Sequence, residues 1–169
     1  LLDVKYYAAG GSYEKFTPLT DKVTTRVSTH LAYTDAYGGD ILPFYKKFAA
    51  GGTDTIRGYQ QGSVGKKVYD STYKAYITYG GKASILGSLE TYFPVPGLKN
   101  SESLRMSAFL DAGGVFDDGI KMEEMRYSLG LGAMWLSPFG PLNVSFAVPF
   151  NDNKLDRTES FQFGMGTNF

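Results

Sequence analysis

The C-terminal third of the chain contains the stretch Tyr127-Ser128-Leu129-Gly130-Leu131-Gly132-Ala133-Met134-Trp135. Large apolar side chains occupy most of its odd positions, whereas small or polar residues occupy most of its even positions. A period of two is typical of a β-strand, because successive side chains point to opposite faces of a sheet. The second face is too small and polar for a tightly packed core. We therefore expect one face to meet an apolar environment and the other to meet water or a polar plug.

Similar alternation runs through much of the chain. It predicts seven strands, at about 2–15, 22–37, 80–93, 102–116, 123–137, 140–150 and 158–169. In the last of these, Phe161 and Phe163 flank Gln162, and Gly164 follows on the same face as Gln162. The predicted fold class is therefore all-β and antiparallel.

The connections between the predicted strands alternate in length. Short turns marked by proline lie at 17–20, 94–97 and 137–141, whereas a long loop spans about 38–80 and further connections lie at 117–119 and 151–154. This sorting is typical of an up-and-down transmembrane β-barrel, with tight periplasmic turns and larger extracellular loops. It predicts that the C-terminus lies on the periplasmic side. A soluble β-sandwich is the alternative, but it needs two apolar inner faces and has no reason to sort its turns.

The composition limits the classes of function. The chain has 169 residues, which suits one domain, and no apolar run reaches the roughly 18 residues of a membrane helix. Its 17 basic and 17 acidic residues give no electrostatic case for nucleic acid, and the lack of cysteine excludes a disulfide framework. Seven strands are fewer than the eight or more of a complete single-chain bacterial barrel. We therefore expect residues 1–169 to form one partial barrel domain, the C-terminal fragment of a longer chain.

The long loop contains the motif Ile56-Arg57-Gly58-Tyr59, preceded by the pair Gly51-Gly52. Strand parity places Glu90 and Asp111 on one face of the predicted sheet, the face expected to line the lumen. If the loop folds inward, the planar guanidinium of Arg57 can pair with both carboxylates. The residues leave a second environment open, in which Arg57 lies in solvent and the two acids line a wet lumen.

Little in the sequence supports an enzymatic function. His30 has no serine or cysteine partner at a recognisable spacing, and the acidic turns at 117–118 and 151–153 lack the spacing of metal ligands. Glu90 and Asp111 beside an arginine suit a structural clamp better than proton transfer. We predict no catalytic activity, no metal site and no cofactor.

Several blocks, in order along the chain, carry a family resemblance. They are Ile56-Arg57-Gly58-Tyr59, Ser88-Leu89-Glu90, Phe109-Leu110-Asp111-Ala112-Gly113, Trp135-Leu136-Ser137-Pro138-Phe139-Gly140-Pro141-Leu142 and Phe161-Gln162-Phe163-Gly164-Met165-Gly166. Over essentially its whole length the chain resembles the C-terminal part of the transmembrane barrel of the BamA family, the central subunit of the outer-membrane β-barrel assembly machine.

The resemblance implies strands ten to sixteen of a sixteen-stranded barrel in the bacterial outer membrane. Its sixth extracellular loop, here about 38–80, would enter the lumen and be pinned by Arg57 to Glu90 and Asp111. The implied function is an insertase that folds client barrel proteins through a lateral seam between the first and last strands. The implied partners are the lipid bilayer, unfolded outer-membrane clients and accessory lipoproteins. The alternative is a passive porin or a two-partner secretion pore of the same superfamily, since related barrels carry a similar arginine motif.

The last strand would supply one side of that seam. Gly164 and Gly166 fit a weak seam because glycine weakens a strand, although a bend that accommodates the loop would also explain them. Phe169 would end the lipid-facing alternation, serve as part of a C-terminal recognition signal, or both.

Overall fold

The computed structural model describes residues 4–97 and 103–165. In chain order its strands are β1 (Tyr6–Pro18), β2 (Thr24–Ala36), β3 (Gly58–Tyr59), β4 (Lys66–Asp70), β5 (Ala75–Gly80), β6 (Ala83–Pro94), β7 (Leu104–Phe116), β8 (Arg126–Ser137), β9 (Gly140–Phe150), β10 (Thr158–Glu159) and β11 (Phe161–Met165). Single 3-10 turns lie at Phe44–Lys46 and Met122–Glu124. The described part of the chain holds no α-helical segment with the length and hydropathy of a membrane span.

Seven of the strands form one antiparallel sheet in the order β1-β2-β6-β7-β8-β9-β11. Each sheet strand pairs with the sheet strand that follows it along the chain. The predicted all-β, antiparallel up-and-down fold is therefore confirmed.

Two of the predicted short turns differ in the structure, one in position and one in length. Pro18 still pairs with Thr24, so β1 runs three residues beyond its predicted end. Ser137 pairs with Gly140, so the predicted turn at 137–141 shortens to a two-residue loop. Gly140 has φ 118°, a backbone conformation that residues with a Cβ rarely adopt. The prolines sit at strand ends, where a missing N–H removes no interior ladder bond.

The long loop, residues 38–80, contains regular structure that its composition does not predict. Residues 66–80 form the β4–β5 hairpin, and the last two residues of the motif, Gly58 and Tyr59, form β3. The predicted strand 158–169 is also divided. Its first two residues, β10, pair with β3, whereas β11 pairs with β9. Residues 166–169 of that predicted strand lie outside the described residues.

The two faces of the sheet differ as the alternation predicted. The loop face, defined as the face covered by the long loop, buries small and polar side chains: Ser84, Glu90, Ser107, Asp111, Ser128, Ser145 and Gln162. The outer face exposes large apolar side chains: Leu89, Leu110, Leu129, Leu131, Phe146, Val148, Phe161 and Phe163. One apolar cluster lies between the long loop and the sheet, and a second is formed by Ala83 of β6, Phe116 of β7 and Met125 of the β7–β8 connection.

Candidate functional site

The motif Ile56–Tyr59 is anchored in the core by two apolar side chains. Ile56 and Tyr59 are fully buried and pack with Ala50, Val64 and Val115. Ile56 lies directly over Gly113, where a Cβ would approach the Ile56 Cδ1 to 2.7 Å. The glycine thus forms a notch in β7 that receives the isoleucine, which fixes the depth at which Arg57 enters the loop face.

Arg57 forms a three-way contact with two strands. Its Nε and Nη2 donate to the two carboxylate oxygens of Asp111, each at 2.8 Å, and its Nη1 donates to Glu90 at 2.9 Å. The Arg57 backbone N–H also donates to Asp111, at 3.1 Å. The guanidinium lies over the Phe109 ring, 3.4 Å from its centroid, which adds a cation–π contact. We call Arg57, Glu90 and Asp111 the clamp.

The clamp is buried, and neighbouring hydroxyls complete its hydrogen bonds. Side-chain exposure is 13% for Arg57, 7% for Glu90 and 1% for Asp111. Ser88 donates to Asp111 at 2.7 Å, and Ser107 donates to Glu90 at 2.7 Å. Burial alone would lower the pKa of Arg57, but the hydrogen bonds and charges of Asp111 and Glu90 outweigh it and raise that pKa. The guanidinium therefore stays charged.

Gly58 and Tyr59 extend the motif toward the last strands. Gly58 has φ 88°, and a Cβ there would lie 3.1 Å from the Ala147 side chain, so both the backbone and the close approach favour glycine. The Tyr59 hydroxyl lies 3.0 Å from the Phe150 carbonyl and 3.3 Å from the Tyr127 carbonyl. Burial raises the pKa of Tyr59 to about 12, so the hydroxyl remains a donor at neutral pH.

The backbone of the motif is bound by the chain around β10. Gly58 and Tyr59 pair with Glu159 and Thr158. The side-chain amide of Gln162 accepts from the Gly58 N–H at 3.2 Å and donates to the Tyr59 carbonyl at 2.7 Å. The motif consequently contacts β6 and β7 through Arg57, and β10 and β11 through the next two residues.

Two further groups of ion pairs hold the loops together. Lys47 donates to Asp117 at 2.7 Å, and Lys66 donates to Asp117 at 3.1 Å and Asp118 at 2.9 Å. Arg126 and Asp156 form a buried pair at 2.5 Å. The first group ties two parts of the long loop to the β7–β8 connection, and the second ties the start of β8 to the segment before β10.

The structure brings Arg57 together with Glu90 and Asp111, and it excludes the open alternative of a solvent-exposed arginine. Gly164 lies in β11 and faces the long loop, because a Cβ there would lie 3.8 Å from the Thr53 side chain. Gly166 and Phe169 fall outside the described residues. The roles suggested for all these residues stay predictions.

Sequence reasoning missed several contacts of the motif. Ser88 shares the parity of Glu90, so its place beside the clamp could have been read from the alternation. The alternation puts Gln162 on the small, polar face of the last strand but predicts no contact for it. A long amide side chain among glycines on that face is the signal that points to a buried partner.

The hydrogen bonds to Asp111 occupy both of its carboxylate oxygens. Both oxygens of Asp111 accept two hydrogen bonds each, which leaves that carboxylate no free position for proton transfer. No group of three or more His, Asp or Glu side chains within residues 4–97 and 103–165 could hold a metal ion. Beside the clamp lies a cavity of about 480 Å³, lined mainly by polar side chains of the loop face.

The chain is similar to known outer-membrane assembly proteins. It is 34% identical to the outer membrane protein assembly factor BamA of Neisseria meningitidis serogroup B, over 98% of this chain and 24% of that protein. It is 29% identical to BamA of Nitratidesulfovibrio vulgaris, over 83% of this chain and 18% of that protein. The chain thus spans about a quarter or less of these relatives.

Structural comparison agrees. The fold matches the crystal structure of BamA from Haemophilus ducreyi lacking POTRA domains 1–3, with a TM-score of 0.85 and 33% identity, over 95% of this chain and 35% of that chain. The resemblance to this family's barrel is therefore confirmed. The Omp85 superfamily domain matches residues 2–169. The chain belongs to the Omp85 superfamily.

Proposed function

We propose that this chain is the C-terminal part of the transmembrane barrel of an outer-membrane protein assembly factor, which folds and inserts β-barrel clients. The observation that carries the proposal is the buried clamp, in which a loop of a chain similar to BamA is fixed to the sheet by Arg57, Glu90 and Asp111. The clamp holds the long loop on the loop face, which lines the lumen of a sixteen-stranded barrel. No catalytic chemistry and no cofactor is required.

The outer face supports a lipid environment. Its large apolar side chains, such as Leu129 at 58% and Phe161 at 61% exposure, form a contiguous surface that water would solvate poorly. The short turns then lie on the periplasmic side, with the C-terminus, and the long loop enters from outside. The protein resides in the bacterial outer membrane, and its partners are the lipid bilayer, unfolded outer-membrane clients and accessory lipoproteins, with no nucleic acid.

Client insertion proceeds at a lateral seam between the first and last strands of the barrel. In this proposal an open strand edge templates client strands by β-augmentation. Gly164 lies in the last strand at that seam, where glycine weakens pairing, and the same place is a prediction for Gly166 and Phe169, which lie outside the described residues.

Reconstitution separates this function from its alternative. The full-length protein is placed in lipid vesicles, and the folding rate of an added urea-unfolded barrel client is measured together with solute conductance. We expect faster client folding than in empty vesicles. Conductance without assisted folding would instead support a passive porin or a secretion pore.

Variants then test the clamp within that assay. Arg57→Gln should slow client folding, because it leaves two buried carboxylates without their cation. Arg105→Gln is the matched control, since Arg105 lines the same cavity and makes no ion pair within the described residues. Arg57→Glu should be worse than Arg57→Gln, and adding Glu90→Arg should recover part of the loss. Equal activity of the wild type and all clamp variants would refute a role of the clamp in assembly.

A further inference from the structure

The side chain of Gln162 occupies an unusual position in the last strand. It is 5% exposed, whereas its neighbours Phe161 and Phe163 are 61% and 55% exposed on the outer face. Gln162 pairs with Ser145 in the β9–β11 register and points from there into the loop face. A long amide buried at that place needs partners for both its oxygen and its nitrogen.

Its partners are backbone groups of the motif. The Gln162 oxygen accepts from the Gly58 N–H, and its nitrogen donates to the Tyr59 carbonyl. The amide of Gln162 thus accepts from one residue and donates to the next, as the backbone of a neighbouring strand does. The side chain thus adds to the short β3–β10 ladder, in which Gly58 and Tyr59 already pair with Glu159 and Thr158.

The same short segment also belongs to the sheet. The Arg157 carbonyl accepts from the Gln60 N–H at 2.8 Å and from the Ser63 hydroxyl at 3.0 Å, so it binds the long loop. The Ser160 carbonyl accepts from the Ala147 N–H at 2.8 Å, so it binds β9. Residues 157–162 therefore connect the loop to the last strand without an intervening flexible stretch.

We propose that Gln162 is a positioning residue that couples the clamp to the last strand. Arg57 binds β6 and β7, and the two residues that follow it bind β10 and β11. A displacement of β11 relative to β7 must therefore break either the clamp or the Gln162 contacts. By linkage, a change that loosens either contact loosens the other. The relevance of this coupling to assembly rests on the proposed function, but the coupling itself can be measured without a client protein.

A purely local role of Gln162 predicts a different result. In that case Gln162 only satisfies the backbone groups of Gly58 and Tyr59, and its loss leaves the clamp intact. The Arg57 N–H distinguishes the two possibilities, because its acceptor is Asp111 on β7 and not Gln162.

The test is amide-resolved hydrogen exchange of the full-length protein in lipid vesicles, with no client present. Gln162→Leu removes both hydrogen bonds, so the Gly58 amide exchanges faster under either explanation. Coupling predicts that the Arg57 amide also exchanges at least tenfold faster. In the reverse direction, Asp111→Asn should speed exchange at the Gln60 amide, which binds the Arg157 carbonyl.

Ser145→Ala is the matched control. Ser145 faces Gln162 across the strand pair, is buried, and has no hydrogen-bond partner for its hydroxyl among the described residues. It should leave all of these amides unchanged. If Gln162→Leu does not fold, Gln162→Met removes the same amide hydrogen bonds with an uncharged side chain of nearly the same length. Exchange at Arg57 within twofold of the wild type in a folded Gln162 variant overturns the coupling, whatever the assembly assay shows.

Discussion

The substitution Asp111→Asn tests the clamp most directly. Asp111 accepts four hydrogen bonds, three from Arg57 and one from Ser88, and its side chain is 1% exposed. Asparagine has nearly the same shape, but its amide nitrogen must face donors at one of the two oxygen positions. Asp111→Asn therefore removes the negative charge and places an N–H group against two hydrogen-bond donors, and it opens no cavity.

The expected cost follows from the remaining contacts. Removing one partner of a buried ion pair typically costs about 3–5 kcal/mol. Glu90 still holds Nη1 of Arg57, so we expect the lower end of that range, about 3 kcal/mol, for the free energy of loop docking. Glu90→Gln keeps an oxygen that can accept from Nη1 but removes its charge, and Asp111 still holds the cation, so this change should cost about 1.5 kcal/mol. We therefore predict that Asp111→Asn weakens loop docking more than Glu90→Gln does.

A thiol in the long loop reports docking. Ser63 is 5% exposed, and Ser63→Cys introduces a buried thiol of similar size that a maleimide reaches only when the loop leaves the sheet. In this background Asp111→Asn should raise the labelling rate about 100-fold and Glu90→Gln about tenfold, since each 1.4 kcal/mol is a factor of ten. Ser145→Ala should leave the rate unchanged. If Asp111→Asn labels no faster than Glu90→Gln, Asp111 is not the principal anchor and the reasoning fails.

Three further substitutions test the surroundings of the clamp. Tyr59→Phe removes the donor shared by two backbone carbonyls and should weaken docking by about 1–2 kcal/mol, measured as faster thiol labelling. Burial opposes ionisation of Asp117, but Lys47 and Lys66 outweigh it and lower the pKa of Asp117. The ion pairs of Asp117 therefore stabilise the docked β4–β5 hairpin fully above the unfolded pKa of about 3.9, and this stabilisation is lost as the pH falls through the lower pKa of the folded state. Hydrogen exchange of β4 and β5 should accordingly become faster as the pH falls through that range. In Asp117→Asn this pH dependence should be absent. Gly130→Ala would place a Cβ 2.4 Å from a backbone oxygen, so the urea midpoint should fall by the equivalent of about 1–3 kcal/mol, whereas an unchanged midpoint would contradict the packing.

The strands and their faces could be predicted because they depend on a local period. The odd positions of β8 are apolar wherever they meet the outer face, and no distant residue is needed to see that. The same parity selected Glu90 and Asp111 as companions on one face. Charge makes both acids candidate partners of Arg57, but only the family resemblance implies that the loop enters the lumen and forms this pairing.

The division of the last predicted strand could not be read in the same way. Thr158 and Glu159 continue an extended segment. Their side chains do not indicate that they pair with Gly58 and Tyr59 instead of β9. That choice depends on where the motif lies once Ile56 has entered its notch. The hydrogen bonds of Gln162 also depend on the position of the motif, because its side-chain amide can bind the Gly58 N–H and the Tyr59 carbonyl only when both lie beside it.

The contacts that hold the motif differ from those that hold the sheet. The seven sheet strands form their ladders with one another, from β1 to β11, and none of these ladders includes a strand of the long loop. The loop is bound instead through side chains, polar ones such as Asp111, Glu90 and Gln162 and apolar ones such as Ile56 and Tyr59, and through the short β3–β10 ladder. Undocking therefore exposes polar groups, which water can solvate, and also the apolar cluster around Ile56, which opposes release, while the sheet strands remain paired. Loss of the clamp should accordingly change the accessibility of the loop far more than it changes the unfolding of the sheet.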